Sequence, residues 1–359
     1  MLRLSYRLVV GFSGFVTLIV GLVGNALVIA VIITTRSLHT PTNCYLVSVA
    51  VSDFLLILTA NMEAVITQVL FGDMYFHVHS LILCRIWATM QYLCADVSAL
   101  SIAAFSVERW IAVCHPLKAQ RMCTIDRALK IITAIWVLNI AYCSSWLFLS
   151  EQEFFNTEFG FMMLCKPANI PFFFWNYMAD FILFYVFPLT VTAVLYVQIA
   201  KKLYTHKSSR THSMALLLIS RICCCCSNNP IQITAHDEDN GGSIINGSHQ
   251  NSKLRPFREG QVPTDIDYKQ SAKRLKARRS IVKMLMIVVI LFTVLCAPYR
   301  VMMVINDPSA PRIKDAWFKF FATYVLYINS AINPILYNAM SRKFRRAFKD
   351  SLLRVTKYG

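Results

Sequence analysis

Charged residues are scarce in this chain, and the sequence patterns of several common enzyme classes are missing from it. Asp, Glu, Lys and Arg make up 15% of the 359 residues, against about 25% in an average soluble domain. The sequence has no glycine-rich dinucleotide or P-loop motif and no His-Glu-x-x-His zinc motif. We therefore expect that the protein is not an enzyme and has no catalytic residues.

Long apolar runs take up most of the chain instead. Hydrophobic residues make up 56% of the sequence, and the mean hydropathy is +0.51. Seven runs are long enough to cross a bilayer core, for which a helix needs about 20 residues. They cover roughly 8–33, 43–70, 81–114, 127–149, 171–203, 281–304 and 316–339. We predict an all-α membrane protein whose seven-transmembrane helix bundle spans 1–340, followed by a short amphipathic eighth helix and a short cytoplasmic tail in 341–359.

Basic residues outnumber acidic ones, 36 against 19, and they cluster beside the apolar runs. The clusters follow the fifth run, precede the sixth and follow the seventh. Because cytoplasmic loops carry the excess of Lys and Arg, these segments are predicted to be cytoplasmic and the N-terminus extracellular. The basic residues form no single soluble patch, so we expect membrane lipid and no nucleic acid as a partner.

The longest connection between runs, 204–280, is polar and rich in turn-forming residues. We predict a cytoplasmic loop that is largely disordered. Four consecutive cysteines, Cys223 to Cys226, lie in it and are either palmitoylated or simply reduced. Cys84 and Cys165 lie on the predicted outer side, where oxidising conditions permit a disulfide between them.

Polar residues recur at the depth of the membrane centre, where an ionisable group is costly and marks a functional site by default. The carboxylate of Asp53 suits a small hard cation such as Na⁺ when other oxygens surround it, and the alternative is a hydrogen-bond network without an ion. Asn333 precedes Pro334, which removes a backbone donor and predicts a helix that bends and repacks. The candidate sodium and switch residues are Asn25, Asp53, Ser98, Asn329, Ser330 and Asn333.

The third run ends in the adjacent charges Glu108 and Arg109. Such a pair can simply extend to the membrane interface. Tyr196 in the fifth run and Tyr337 at the end of the seventh should reach the same end of the bundle, where Arg109 is available to them. These four residues are therefore candidates for one functional cluster.

Taken in order along the seven runs, these residues resemble those of the rhodopsin class of G-protein-coupled receptors. The matching pattern is Gly24-Asn25, Ser52-Asp53, Cys84, Glu108-Arg109-Trp110, Trp136, Pro188, Pro298 and Asn333-Pro334-x-x-Tyr337. Three further stretches are similar to the thyrotropin-releasing-hormone receptors and related invertebrate neuropeptide receptors. They are 36–45, 115–120 and 297–300.

The resemblance implies a multi-pass plasma-membrane receptor for an extracellular short, amidated neuropeptide. It implies coupling to a heterotrimeric G protein of the Gq type through Glu108, Arg109, Tyr196 and Tyr337. It also implies a disulfide between Cys84 and Cys165, and it requires no cofactor apart from the Na⁺ hypothesised at Asp53. The alternatives are an orphan receptor for another class of ligand and a membrane transporter or channel.

The resemblance also places a ligand pocket in the outer half of the bundle. Gln91 stands where amine receptors have their Asp, and Tyr327 stands where retinal proteins have their Lys, which argues against both ligands. Arg300 either binds the ligand or forms a salt bridge with no ligand role, and the tyrosines either bind or pack. The candidate ligand-binding residues are Gln91, Tyr92, Asp96, Asp180, Tyr299 and Arg300.

Two departures from the family pattern concern residues that restrain the resting state of relatives. Cys296 occupies the position of the usual bulky Trp, and the cytoplasmic foot of the sixth run, 276–279, is basic where many relatives have an acid. Both departures remove restraints on the resting state, so the sequence predicts measurable basal signalling. It also predicts that Cys296→Trp lowers this signalling without loss of surface expression.

Overall fold

The computed structural model describes residues 2–62, 65, 81–157, 160–167, 171–202, 286–305, 315–340 and 344–350. The predicted loop 204–280, with its four cysteines and the basic foot at 276–279, lies outside the described residues. The end of the chain, 351–359, lies outside them as well.

Helices account for most of the described chain, and six of them are long and apolar enough to cross a membrane. The seventh predicted span forms a helix of 25 residues. The all-α prediction is therefore confirmed. The helices are α1 (Leu2–Thr34), α2 (Pro41–Leu56, continued by a π-helical turn at Ile57–Asn61), α3 (Leu81–Cys114), α4 (Pro116–Met122), α5 (Ile125–Cys143), α6 (Pro171–Phe181, a π-helical turn at Ile182–Val186, then 187–202), α7 (Met286–Ile305), α8 (Ala316–Met340) and α9 (344–350).

Local capping explains where several of these helices begin. The Thr40 hydroxyl accepts a hydrogen bond from the Asn43 amide at 3.3 Å, and Pro41 opens α2 with a fixed backbone angle. The Thr124 hydroxyl caps α5 in the same way, through the Arg127 amide at 3.3 Å. These polar caps divide the continuous apolar sequence into separate helices.

The short helix α9 corresponds to the predicted eighth helix. Phe344 and Ala347 are buried, whereas Arg345, Arg346 and Lys349 are exposed. Apolar residues three apart lie on one face of a helix. This face makes α9 amphipathic, as the sequence predicted.

One element was not predicted from the sequence. Strands β1 (Ser150–Thr157) and β2 (Gly160–Pro167) pair in an antiparallel hairpin between α5 and α6. Cys165 lies opposite Gln152 in this register. The sequence predicted only a connection between the runs 127–149 and 171–203, since its mixture of polar and apolar residues shows no strict alternation.

Helix α1 packs closely on α2 and α8 because glycines lie at the contacts. A Cβ atom on Gly24 would lie 3.1 Å from both Cβ and Cγ of Pro334. A Cβ atom on Gly21 would lie 2.1 Å from Cδ1 of Ile57. Small residues allow membrane helices to approach in this way. The approach brings Asn25 to α8, where three further members of the predicted polar cluster lie, Asn329, Ser330 and Asn333.

We expect Gly24→Ala to destabilise the contact between α1 and α8. The proline ring cannot rotate away from the added methyl group, so the overpacking should cost about 1–3 kcal/mol. The measurement is the melting temperature of the purified protein in detergent. Val23→Ile is the control, since it adds one carbon to a side chain of the same helix that is 53% exposed. Equal melting temperatures for Gly24→Ala and the wild type would contradict the packing argument.

Candidate functional site

A cavity of about 240 Å³ lies among α2, α3, α7 and α8. Four of the six predicted ligand-binding residues line it: Gln91, Tyr92, Tyr299 and Arg300. We call this space the Arg300 cavity. Its lining residues are Leu56, Ala60, Gln91, Tyr92, Ala95, Tyr299, Arg300, Thr323, Leu326 and Tyr327. Gln91 and Tyr327, which argued against amine and retinal ligands, are thus both part of the cavity wall.

The other two predicted residues, Asp96 and Asp180, contact Arg300 instead of lining the cavity. Nη2 of Arg300 donates to Oδ1 of Asp96 at 2.9 Å, and Nη1 donates to Oδ2 of Asp180. Both aspartates are 0% exposed and Arg300 is 4% exposed. The three residues come from α3, α6 and α7, so this buried ion cluster ties three helices together. Arg300 therefore forms the salt bridges that the sequence left open and lines the cavity as well.

Aromatic packing holds Tyr92 and Arg300 in place. The Tyr92 ring stacks on Trp146 with centroids 3.8 Å apart and an interplanar angle of 7°. The Tyr177 hydroxyl donates to the backbone carbonyl of Arg300 at 3.2 Å. Sequence reasoning missed Trp146 and Tyr177, because aromatic residues are common throughout the spans and neither belongs to a recognised motif. Tyr92 is thus a packed residue and a cavity residue at once.

Cys296 lies in a compact cluster below the cavity. It is 3% exposed and packs with Tyr185 and Leu326. Tyr185 belongs to the π-helical turn of α6, and its hydroxyl donates to the Thr293 carbonyl at 2.9 Å. The small Cys side chain is therefore buried against a tyrosine ring from the neighbouring helix.

This packing changes the outcome that the sequence predicted for Cys296→Trp. We now expect the single substitution to overpack the cluster, at about 1–3 kcal/mol, and to lower surface expression. Cys296→Trp combined with Tyr185→Ala should recover expression and show lower basal signalling than Tyr185→Ala alone. Cys296→Val, which changes the volume little, is the control for loss of the thiol. Normal expression of Cys296→Trp alone would contradict the account.

The six polar residues predicted at mid-membrane depth are all buried, each at most 3% exposed. Asp53 is their centre. It accepts hydrogen bonds from Ser98 Oγ at 3.2 Å and Asn333 Nδ2 at 2.7 Å. Asn25 Nδ2 donates to the Ser330 carbonyl at 3.1 Å. The structure thus joins α2, α3 and α8 at one carboxylate, and α1 binds α8 through Asn25.

The donor set of this cluster fits a hard monovalent cation. One carboxylate and several hydroxyl and amide oxygens are the ligands such an ion prefers. Oδ1 of Asn25 is buried and has no hydrogen-bond partner among the described residues. An oxygen in that situation is destabilising unless it finds a donor or a cation. Asn329, which precedes Ser330 in the chain, is buried with 3% of its surface exposed.

Glu108 and Arg109 lie near the C-terminal end of α3. The Arg109 guanidinium carbon lies 5.6 Å from the centroid of the Phe105 ring. Tyr196 and Tyr337 line one small cavity together with Phe105. The Tyr196 hydroxyl accepts from Ser106 at 3.4 Å. The four predicted residues therefore gather at one end of the bundle, which we call the Arg109 end.

Cys123 follows α4 and binds Glu108. Burial and this hydrogen bond to the carboxylate raise the pKa of the Cys123 thiol to about 11, so it stays protonated and acts as a donor. Glu108 is 4% exposed, and its Oε1 has no partner among the described residues. Cys123 belongs to no recognised motif, so its position beside Glu108 was not predictable from the sequence.

Cys84 is buried and disulfide-bonded at the start of α3. Its Sγ lies 3.9 Å from the carbonyl oxygen of Glu151, so β1 passes close to it. The side chain of Cys165, on the paired strand β2, lies outside the described residues. The Cys84–Cys165 pairing therefore stays a prediction.

The chain matches known proteins over nearly its whole length. The family model for the 7 transmembrane receptor (rhodopsin family) matches residues 24–337. The thyrotropin-releasing hormone receptor of Bos taurus is 34% identical over 348 residues, which is 96% of this chain and 78% of the relative. The pyrokinin-1 receptor of Drosophila melanogaster is 28% identical over 343 residues, 93% of this chain and 77% of the relative. The neuromedin-U receptor 2 of Mus musculus is 26% identical over 355 residues, 92% of this chain and 72% of the relative.

Proposed function

Because this chain belongs to the rhodopsin family of seven-transmembrane receptors, we propose that its Arg300 cavity binds a short, amidated peptide and that its Arg109 end activates a G protein of the Gq type. The family and the relatives make the chain a G-protein-coupled receptor for a neuropeptide, a multi-pass protein of the plasma membrane and not an enzyme. The proposal adds the class of peptide, the binding residues, the subtype of G protein and the orientation.

The observation that carries the proposal is the composition of the cavity wall. Polar groups from Gln91, Tyr92 and Thr323 line it together with Tyr299, Arg300 and Tyr327. Peptide bonds and a terminal amide need donors and acceptors of this kind, spaced around a largely apolar space. A volume of about 240 Å³ takes the end of a peptide and not a folded hormone.

In this proposal the cavity faces the extracellular side and the Arg109 end faces the cytoplasm. The excess of Lys and Arg beside the Arg109 end supports that orientation. Peptide in the cavity favours one of two packings of the bundle, and movement of α7 at the Arg109 end admits a helix of the G protein. Glu108, Arg109, Tyr196 and Tyr337 contact or position that helix.

Asp53, Ser98, Ser330 and Asn333 would hold a sodium ion between the two ends, with Asn25 and Asn329 beside them. The ion would supply a positive charge next to a buried carboxylate and so favour the packing in which these side chains lie together. The residues themselves join α1, α2, α3 and α8 through hydrogen bonds. This position makes the cluster sensitive to any repacking of α8.

A library of short amidated peptides tests the proposal through the intracellular calcium response of cells that express the receptor. We expect at least one active peptide, whose response disappears in cells without Gq-type α subunits. Arg109→Ala is the matched control, since it should remain at the surface and bind the peptide without signalling. Silence across the library at good surface expression would contradict the peptide class. A response that persists without Gq-type subunits would contradict the subtype alone.

A further inference from the structure

Arg300 is the one charged side chain among the described residues that line the cavity. A lone guanidinium in such a wall would favour an anionic partner, because it pairs with a carboxylate through two parallel hydrogen bonds. The C-terminal carboxylate of an unmodified peptide would be such a partner. What the cavity selects therefore depends on whether the positive charge of Arg300 is already compensated.

The structure shows that it is compensated. Asp96 and Asp180 each accept from a different terminal nitrogen of Arg300, and both are fully buried. The cluster carries one negative charge when both carboxyl groups are ionised, and it is neutral when one of them is protonated. In both states the aspartates balance the positive charge of Arg300, so no net positive charge remains for a ligand.

Arg300 can still donate hydrogen bonds although its charge is compensated. The guanidinium has five N–H groups, and its hydrogen bonds to Asp96 and Asp180 use one on each terminal nitrogen. The two ion pairs hold the guanidinium in one orientation, and the Tyr177 hydroxyl binds the backbone carbonyl of the same residue, so Arg300 is fixed where it lines the cavity. The cavity thus presents positioned donors without the charge that usually accompanies them.

We propose that Asp96 and Asp180 are specificity-determining residues that let Arg300 bind neutral carbonyl groups and make the cavity reject peptides that end in a carboxylate. The inference rests on the proposed function and names the residues that enforce the preference for an amide. A carbonyl needs only donors, whereas a carboxylate would add a further negative charge to a buried cluster that is already neutral or negative. A buried charge without a partner of opposite sign is strongly disfavoured.

The test is a set of short peptides made in pairs that differ only in a C-terminal amide or free acid. For wild type we expect the acid to be at least about 100-fold less potent than its amide, the scale of a like-charge contact in a buried site. The double variant Asp96→Asn/Asp180→Asn keeps the side-chain volumes and restores the charge of Arg300. In this variant the difference in potency between acid and amide should shrink at least about tenfold, because the like-charge repulsion is removed. Asp315→Asn is the control, because it removes an exposed carboxylate at the start of α8 and should leave the ratio unchanged.

Two results would overturn the inference while the proposed function stands. One is a wild type that responds equally to acid and amide. The other is a double variant that responds to the amide with an unchanged ratio. If the double variant fails to reach the surface, each single Asn variant must narrow the ratio several-fold or the inference is wrong. Silence of both peptide sets in the wild type would defeat the proposed function, and the inference with it.

Discussion

Arg300→Gln should remove most of the receptor from the cell surface. The substitution leaves the carboxyl groups of Asp96 and Asp180 fully buried without their cation. Removal of one partner from a buried ion pair costs about 3–5 kcal/mol, which is a large share of the stability of a typical domain. Surface biotinylation and the melting temperature of the purified protein measure the effect.

Two further variants separate charge from shape at this position. The triple variant Asp96→Asn/Asp180→Asn/Arg300→Gln has no buried charge and nearly the same volume, so it should recover most of the lost melting temperature. Arg300→Lys keeps the charge but loses the planar fork, and it should weaken agonist binding by about 1–3 kcal/mol. Wild-type melting of Arg300→Gln, or unchanged agonist potency of Arg300→Lys, would show that the cluster has been misread.

Asp53→Asn should abolish any dependence of agonist affinity on sodium. The substitution preserves the volume, and the amide oxygen can still accept from Ser98 or Asn333, but the charge that holds a cation is gone. In wild type, replacing an organic cation by Na⁺ should lower agonist affinity by about 5-fold or more, the lower end of typical coupling between two sites. Binding of a radiolabelled agonist to membranes at constant ionic strength measures the sodium effect in the wild type and its loss in Asp53→Asn.

The matched control for this substitution is Asp96→Asn. It removes a buried carboxylate from α3 that binds Arg300 and lies in a different cluster, so the response to sodium should persist. Ser98→Ala removes one oxygen from the Asp53 cluster and should give an intermediate response. An agonist affinity in the wild type that is the same in Na⁺ and in the organic cation would refute the ion site.

The helices were predictable because a bilayer demands continuous apolar length. The predicted run 81–114 coincides with α3, and the run 316–339 differs from α8 by one residue. Helix α1 begins earlier than its predicted run, at Leu2. Hydropathy alone does not mark such an end, since polar residues can continue a helix beyond the bilayer core. The hairpin β1–β2 was missed because its residues show no strict strand period.

The site was predictable residue by residue but not in its geometry. Sequence motifs named Asp96, Asp180 and Arg300, yet these residues are separated by up to 204 positions along the chain. Only packing shows that one guanidinium bridges both carboxylates. Trp146 and Tyr177 carry no motif, so their support of Tyr92 and Arg300 appears only in three dimensions.

The central claim is that a peptide in the Arg300 cavity drives nucleotide exchange on a G protein at the Arg109 end. Its most direct test is the rate of guanine-nucleotide exchange by a purified Gq-type heterotrimer, with purified receptor in lipid nanodiscs and an amidated peptide active in the calcium assay. The account predicts faster exchange with peptide, and no acceleration in Arg109→Ala although that variant still binds the peptide. An exchange rate that stays the same with saturating bound peptide would contradict it.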